Sequence, residues 1–353
     1  MLNRLVDTRF DGSASSVLRR RLLSGDNSIY LYDGDGIFEG FIDVTLIQCH
    51  WGVKTAQISA SKRSLDILLR SSPLPLKWAF IEAQKGGVDR QFEWLRDYGV
   101  EYLFVELSDD SDEIFMKESL WNIAARKVTG DNLIFLDSDI VFCNRGWLNS
   151  VARAFDKYDI MSVHSYGYYA EQPVGTAVRF LMPSIGENWL GGNPFGFPGF
   201  TVGMTRRVFE DIGGFPIVSC YSGDVWFWTM VFGDKKISKI DNLPYCSVPD
   251  SWKGGLCEYY SVGATGEVCA HVSHGDIANR NYSIQRYFSR ACNSYPQEDL
   301  DLSGELPVWA KNSSGVIHHA CRKRLSDGLP EGDKMSAAKL IYKDELMKYN
   351  SRR

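Results

Sequence analysis

The sequence predicts an α/β fold with a mostly parallel central sheet flanked by helices, and three observations lead there. Apolar, β-branched runs alternate with segments of helical period from Phe41 to Leu136, and parallel neighbours need a crossover helix between them. The chain has 353 residues, 44% of them hydrophobic and 24% charged, enough to bury a large core. No G-x-G-x-x-G follows the first run and no G-x-x-x-x-G-K-[ST] occurs anywhere. A dinucleotide-binding dehydrogenase or a P-loop phosphotransferase is therefore disfavoured.

Taken in order, residues 1–40 carry turn formers and one basic cluster, Arg19-Arg20-Arg21, without a strong period, and read as an N-terminal extension. The main domain, 41–310, divides near residue 150. It opens on a strand, Phe41 to Cys49, and a helix, Thr55 to Arg70, stopped by Pro73 and Pro75. A strand follows at Lys77 to Glu82, a helix at Asp89 to Tyr98, a strand at Tyr102 to Val105, a helix at Ile114 to Lys127 and a strand at Asn132 to Leu136. Beyond it the spacing predicts a helix over Val151 to Tyr158 and a strand over Ile160 to His164. Asn188 to Phe200 is a Gly/Pro/aromatic loop, Thr205 to Ile212 a helix ended by Gly213-Gly214, and Asp224 to Val231 an aromatic-rich helix. Residues 311–353 form a basic C-terminal helical region: His318 to Arg353 holds nine Lys/Arg against five Asp/Glu.

Composition narrows the function classes. Lys and Arg total 39 against 44 Asp and Glu, a formal charge of −5, so nothing global points to a polyanion partner. The eight cysteines include no C-x-x-C pair, which argues against a zinc ribbon or a disulfide framework. No run of 18 apolar residues occurs and Met1 to Arg9 lacks a signal peptide's apolar stretch, so the expectation is a soluble, cytoplasmic protein.

In open sheets of this kind ligands bind beyond the carboxyl ends of the strands, here Gln48 to Trp51, Glu82 to Gly87 and Asp137 to Asp139. Asp137-Ser138-Asp139 follows the apolar run Leu133 to Leu136. Two carboxylates one residue apart at such a place can share a hard divalent cation, which stabilises charge developing on a diphosphate leaving group.

With that motif the chain resembles the nucleotide-sugar glycosyltransferases of GT-A fold, galactosyltransferase-like and phage- or virus-encoded types, over roughly Phe41 to Trp309. Four further stretches carry the resemblance: Lys117-Glu-Ser-Leu-Trp-Asn122 with Ala125-Arg126; Phe197 to Arg206 with Ile212-Gly-Gly-Phe215 and Ser222-Gly-Asp224; His271-Val-Ser-His274-Gly with Asn279-Arg280 and Arg286; and Cys292 to Leu302. The resemblance implies a donor-binding half, 41–150, and an acceptor-binding half, 151–310. It implies transfer from a nucleoside diphosphate sugar, a UDP-sugar first, with Mn²⁺ or Mg²⁺ on Asp137, Asp139 and His274 or, second, His271. Mn²⁺ suits mixed carboxylate and imidazole ligands better than Mg²⁺ does.

The resemblance also assigns roles by position. Asn122 and Arg126 face the donor, Glu82 and Gln48 read its base or ribose, and Arg280 and Arg286 either contact the diphosphate or form surface salt bridges. Asp224 takes the acceptor's proton, although an Asp there also serves as a helix cap. For Gln48 and Glu82 a structural hydrogen bond is an equal alternative. Trp189, Phe195, Phe197 and Phe200, interleaved with Gly199, form either a stacking platform for the acceptor or a small core. The acceptor is expected to be a saccharide or small molecule, with a hydroxylated pyrimidine of phage DNA as a further class. Two competing readings are a non-catalytic glycan- or nucleic-acid-binding module on the same fold and a sugar nucleotidyltransferase. The latter needs a Gly-rich loop where this chain has Gln48-Cys-His-Trp-Gly-Val.

Overall fold

Strand β1 (Val44–Trp51) forms from the β-branched and apolar run Val-Thr-Leu-Ile, and all its residues but Trp51 are buried. It is a central strand, hydrogen-bonded in parallel to β2 (Lys77–Lys85) on one side and β4 (Asn132–Asp137) on the other. Beyond β2 lies β3 (Glu101–Leu107), also parallel. The crossovers are helix α1 (Thr55–Ser71) and helix α2 (Lys117–Lys127), as the alternation predicts. The structure, a computed structural model, describes residues 43–52, 54–71, 76–111, 114–169, 182–190, 196, 198–217, 223–233, 255–272, 284, 287–288, 291, 300–310, 315–326 and 333–351. The N-terminal extension, with Arg19 to Arg21, lies outside these residues.

After β4 the chain makes β5 (Ile140–Phe142), α3 (Trp147–Phe155), β6 (Ile160–Ser162), β7 (Tyr166–Tyr169), β8 (Met182–Pro183), α4 (Ile185–Leu190) and β9 (Thr201–Thr205). Then come α5 (Arg206–Ile212), α6 (Gly223–Phe232), β10 (Val262–Ala264), β11 (Val268–His271), β12 (Leu300–Asp301), β13 (Val308–Trp309), α7 (Gly315–Ser326) and α8 (Lys334–Ser351). The main sheet runs β10-β6-β9-β4-β1-β2-β3, and β9 is antiparallel to both its neighbours. A second sheet, β5-β11-β7-β8, leaves the first just past the end of β4.

The pleat divides the core. Val44, Leu46, Phe80, Ile134 and Leu136 join Leu65 and Leu68 of α1 and the second sheet on one face. Ile47, Cys49, Ile81, Leu133 and Phe135 join Leu120 and Trp121 of α2, with α5 and α6, on the other. Because both faces are covered, strands β1 and β4 read as continuous apolar runs.

Four features differ from their sequence expectation. The helix over Asp89 to Tyr98 is a single 3-10 segment, Glu93–Tyr98, closed by Gly99 in the left-handed region. Its would-be first turn is diverted because the backbone N–H groups of Gln91 and Phe92 donate to the Glu82 carboxylate. The helix over Val151 to Tyr158 instead spans Trp147–Phe155, since Trp147 and Leu148 are themselves core residues. The loop from Asn188 overlaps the end of α4, and β9 was not expected at all. Helix α5 agrees closely: the Thr205 side chain accepts from Val208 N and Gly213 closes the helix at φ 75°.

The basic C-terminal region folds as α7 and α8, whose Ile317, Cys321, Ala338 and Ile341 enclose a small core with Ile284 and Phe288. Several of its cations are paired within it: Arg324 with Asp344 and Glu345, and Lys348 with Glu345. Among the described residues no helix is long and apolar enough to cross a membrane.

Phe135 shows how tightly the α2 face is packed. It is fully buried, with ring centroids of Trp121, Phe215 and Phe209 at 5.6, 4.7 and 6.0 Å. Phe135→Ala is expected to destabilise the protein by about 3–5 kcal/mol in denaturant titrations. A loss of about 0.5 kcal/mol, as for a surface site, would contradict this packing.

Candidate active site

The chemistry gathers where β4 ends. Side chains alternate, so Asp137 continues the Leu133 and Phe135 series and points to the α2 face. Its in-register neighbour on β1 is Cys49, and on β2 the position beside Cys49 is Ile81. Helix α2 begins here, and its first two residues, Lys117 and Glu118, lie under that edge.

Lys117 Nζ stands 3.2 Å from Asp137 Oδ1 and 3.9 Å from both Asp224 Oδ2 and Glu118 Oε1. Asp224 arrives from the first turn of α6, a fifth exposed. The start of α6 comes so close that a Cβ on Gly223 would fall 2.2 Å from the Glu118 carboxyl carbon. Only glycine allows this approach.

Among the described residues, carboxylates outnumber cations at this spot. Burial, reinforced by Asp224 and Asp137 and opposed by Lys117, pushes the Glu118 carboxyl up to about 8. Both Glu118 oxygens are buried without a hydrogen-bond partner. Burial likewise raises Asp137 above the usual carboxylate range, with Lys117 opposing and Asp139 and Asp224 adding to the shift. Burial alone would lower Lys117, yet the carboxylates of Asp137, Asp224 and Glu118 hold it above its ordinary value.

Asp139 occupies the turn between β4 and β5 and is buried. Its Oδ2 is 3.3 Å from His271 Nε2, and its carbonyl accepts from Val272 N, so β11 delivers this histidine to the second aspartate. Phe200 braces both groups. It is the one non-glycine residue with positive φ among those described, at 79°; such a backbone costs roughly 1–3 kcal/mol. Its carbonyl accepts from Asp137 N at 3.0 Å, and its ring lies 5.4 Å from His271 and 5.5 Å from Tyr169. Gly167 makes room, since a Cβ there would meet the Phe200 ring at 2.6 Å. Ser138, between the aspartates, is anchored to α1 through Ser61 Oγ at 2.8 Å, which also lies 3.4 Å from His50 Nδ1.

Among residues expected at the site, Asp137, Asp139 and Asp224 converge, and His271 stands where an imidazole ligand was sought. His274, Arg280 and Arg286 lie outside the described residues, as does the Trp189 side chain. The others engage protein groups, which for Glu82 and Gln48 is the structural alternative already expected. Glu82 points to the opposite face of the sheet, where its oxygens accept from Gln91 N, Phe92 N, Tyr102 Oη and Gln84 Nε2. Gln48 shares that face and donates to the Asp137 carbonyl at 3.3 Å. Asn122 is buried against Phe215, accepting its N–H at 2.8 Å and donating to its carbonyl at 2.9 Å. Arg126 sits nine residues beyond Lys117 on α2, about 14 Å along the axis, and donates to the Gly213 carbonyl. Phe200 is core rather than an exposed platform, with Gly199 buried beside it.

Lys117 and Glu118 carry no role from sequence alone. The available signal was a charged pair opening a helix otherwise committed to core, directly ahead of Leu120-Trp121. Among the described residues no group of three or more His, Cys, Asp and Glu side chains stands ready-made to hold a metal. The donor types nevertheless suit a hard divalent cation: Asp137 and Asp139 with the His271 imidazole at hand, and buried carboxylates outnumbering the one ammonium.

No family model matches the sequence, and no curated protein matches it. Among solved structures the chain is similar to S. aureus TarS 1–349 in complex with UDP-GlcNAc, at 12% identity and a TM-score of 0.43, over 71% of this chain and 65% of that one. It is similar also to a mannosyltransferase from Pyrobaculum calidifontis in complex with GDP-Man and Mn²⁺, at 16% identity and a TM-score of 0.41, over 96% of this chain and 83% of that one. The chain thus spans less than two thirds of the TarS fragment.

Two outcomes are expected from this geometry. Asn122→Ala leaves the buried Phe215 N–H and C=O unpaired and is expected to cost about 1–3 kcal/mol of stability, read in denaturant melts. A residue facing the donor would instead change binding with stability intact. For Glu118, a folded-state value raised to about 8 from 4.5 means that its stabilising contribution is complete below pH 4.5 and is lost as pH climbs towards 8. In EDTA, Glu118→Gln is therefore expected to gain stability over wild type between pH 5 and 8; parallel stability curves would refute the shift.

Proposed function

We propose that the chain is a glycosyltransferase that moves a hexosyl or pentosyl group from a nucleoside diphosphate sugar, a UDP-sugar foremost, to a hydroxyl acceptor with the help of a divalent metal. The observation that carries this reading is the Asp137/Asp139 pair at the carboxyl end of a buried central strand, with Asp137 against an ammonium that also neighbours Asp224 of a separate helix and Asp139 against His271. A module that only binds glycan or nucleic acid has no need of that buried charge, and a nucleotidyltransferase lacks its Gly-rich loop here.

Asp137, Asp139 and an imidazole, His271 or His274, would hold Mn²⁺ or Mg²⁺. The bound cation supplies charge stabilisation for the departing diphosphate. Asp224 accepts the proton of the acceptor hydroxyl as its oxygen bonds to the anomeric carbon and the sugar–phosphate bond breaks. The Asp224 carboxylate is partly exposed, on an element separate from the D-x-D turn, which suits the acceptor side. Phe200 and Ser61 keep both aspartates in place through Asp137 N and Ser138.

For the acceptor, a saccharide or small-molecule hydroxyl is favoured. The chain carries a formal charge of −5, which gives no global attraction for a polyanion, and the C-terminal cations Arg324 and Lys348 are engaged with Asp344 and Glu345.

The test is a panel of nucleotide sugars with MnCl₂ or EDTA, reading nucleoside diphosphate release. Turnover should require the metal and fall about a thousandfold or more in Asp139→Ala, the range expected when several kcal/mol of charge stabilisation is removed. Asp224→Asn should lower kcat by roughly 10²–10⁴ while donor binding persists. Turnover unchanged by Asp139→Ala defeats the metal assignment. Activity confined to duplex DNA with hydroxylated pyrimidines, weakening steeply with salt, would overturn the acceptor assignment.

A further inference from the structure

We propose that Lys117 is a resident counter-ion that neutralises the carboxylate cluster before a divalent cation binds, and that it gives up Asp137 when the cation arrives. This rests on the metal-dependent reading above.

The stoichiometry of charge motivates it. A lysine serving only to build the fold is matched by one partner. Here a single ammonium, 10% exposed, faces carboxylates from three elements: Asp137 at the end of β4, Glu118 on α2 and Asp224 on α6. Its contact with Asp137 is much the shortest, at 3.2 Å against 3.9 Å for the others. Asp137 is also the residue to which the metal is assigned, so ammonium and metal compete for one carboxylate. Two like charges cannot share such a site without strong repulsion.

Lys117 also has somewhere to go. Its Nζ lies 5.0 Å from the Trp121 ring centroid and 6.0 Å from that of Phe115, faces that attract a cation. Asp224 and Glu118, each already 3.9 Å from Nζ, offer it two further carboxylates. The backbone needs no change, because Lys117 opens α2 and the flexible stem alone moves the charge. The cluster thus stays closed and folded without metal, at the expense of metal affinity.

The experiment measures Mn²⁺ affinity of the full chain directly, by calorimetry or by EPR of free Mn²⁺, together with thermal unfolding in EDTA and in MnCl₂. Lys117→Met and Lys117→Gln are both neutral, and the second guards against a folding defect in the first. Each is expected to bind Mn²⁺ about tenfold more tightly than wild type or better, as removal of a cation beside the site requires. Each should melt lower in EDTA and show a larger Mn²⁺-induced rise than wild type. Lys117→Arg should keep wild-type affinity. A purely structural lysine would lower the melt without tightening Mn²⁺ binding. Equal or weaker Mn²⁺ binding by the neutral variants overturns the proposal. The outcomes separate cleanly: if wild type shows no Mn²⁺ binding that Asp139→Ala removes, the metal-dependent reading itself falls. If that binding exists and the Lys117 variants match wild type, only the counter-ion role falls.

Discussion

Carboxylates buried faster than cations can neutralise them set the terms for this site. Among the described residues, Asp137, Asp139, Glu118 and Asp224 gather at the carboxyl edge of the sheet with one ammonium, Lys117, beside them. Charges desolvated in this way are costly unless partnered. The surrounding fold can be understood as what holds that arrangement together: two strands register Asp137 beside Cys49, Arg126 near the far end of α2 donates to the Gly213 carbonyl, and Gly223 lets α6 close on Glu118.

The second sheet answers a different need. Asp139 cannot be positioned by β4, because the chain has already turned, so its carbonyl and carboxylate are held from β11 through Val272 and His271. Phe200 ties the two sheets with a strained backbone, its carbonyl on Asp137 and its ring on His271. Strain of this kind persists only where packing over-determines it. Gly167, His164 and Tyr169 supply that packing around the ring.

The four parallel strands between residues 44 and 137 were legible because buried parallel strands leave apolar runs that no helix period explains, whereas the expected helix from Asp89 proved a short 3-10 segment. The D-x-D turn was legible because it ends such a run. Glu82 was left between two roles for an equally physical reason. A carboxylate at a strand's end looks the same from sequence whether it faces a ligand or backbone N–H groups, and here Gln91, Phe92 and Tyr102 claim it. Asn122 misled, since an amide that matches a donor also matches a peptide unit, and the Phe215 peptide reaches it first.

Local pattern therefore determined the class of fold and the placing of two aspartates just past the end of a buried central strand, since each depends on neighbours within a few residues. Which face each side chain serves, and which charges meet, depends on register and on contacts across about a hundred residues. Lys117 meets Asp224, and His271 meets Asp139, only because strands and helices distant in sequence end at one place. No short stretch of sequence encodes that convergence; close packing of the folded chain creates it.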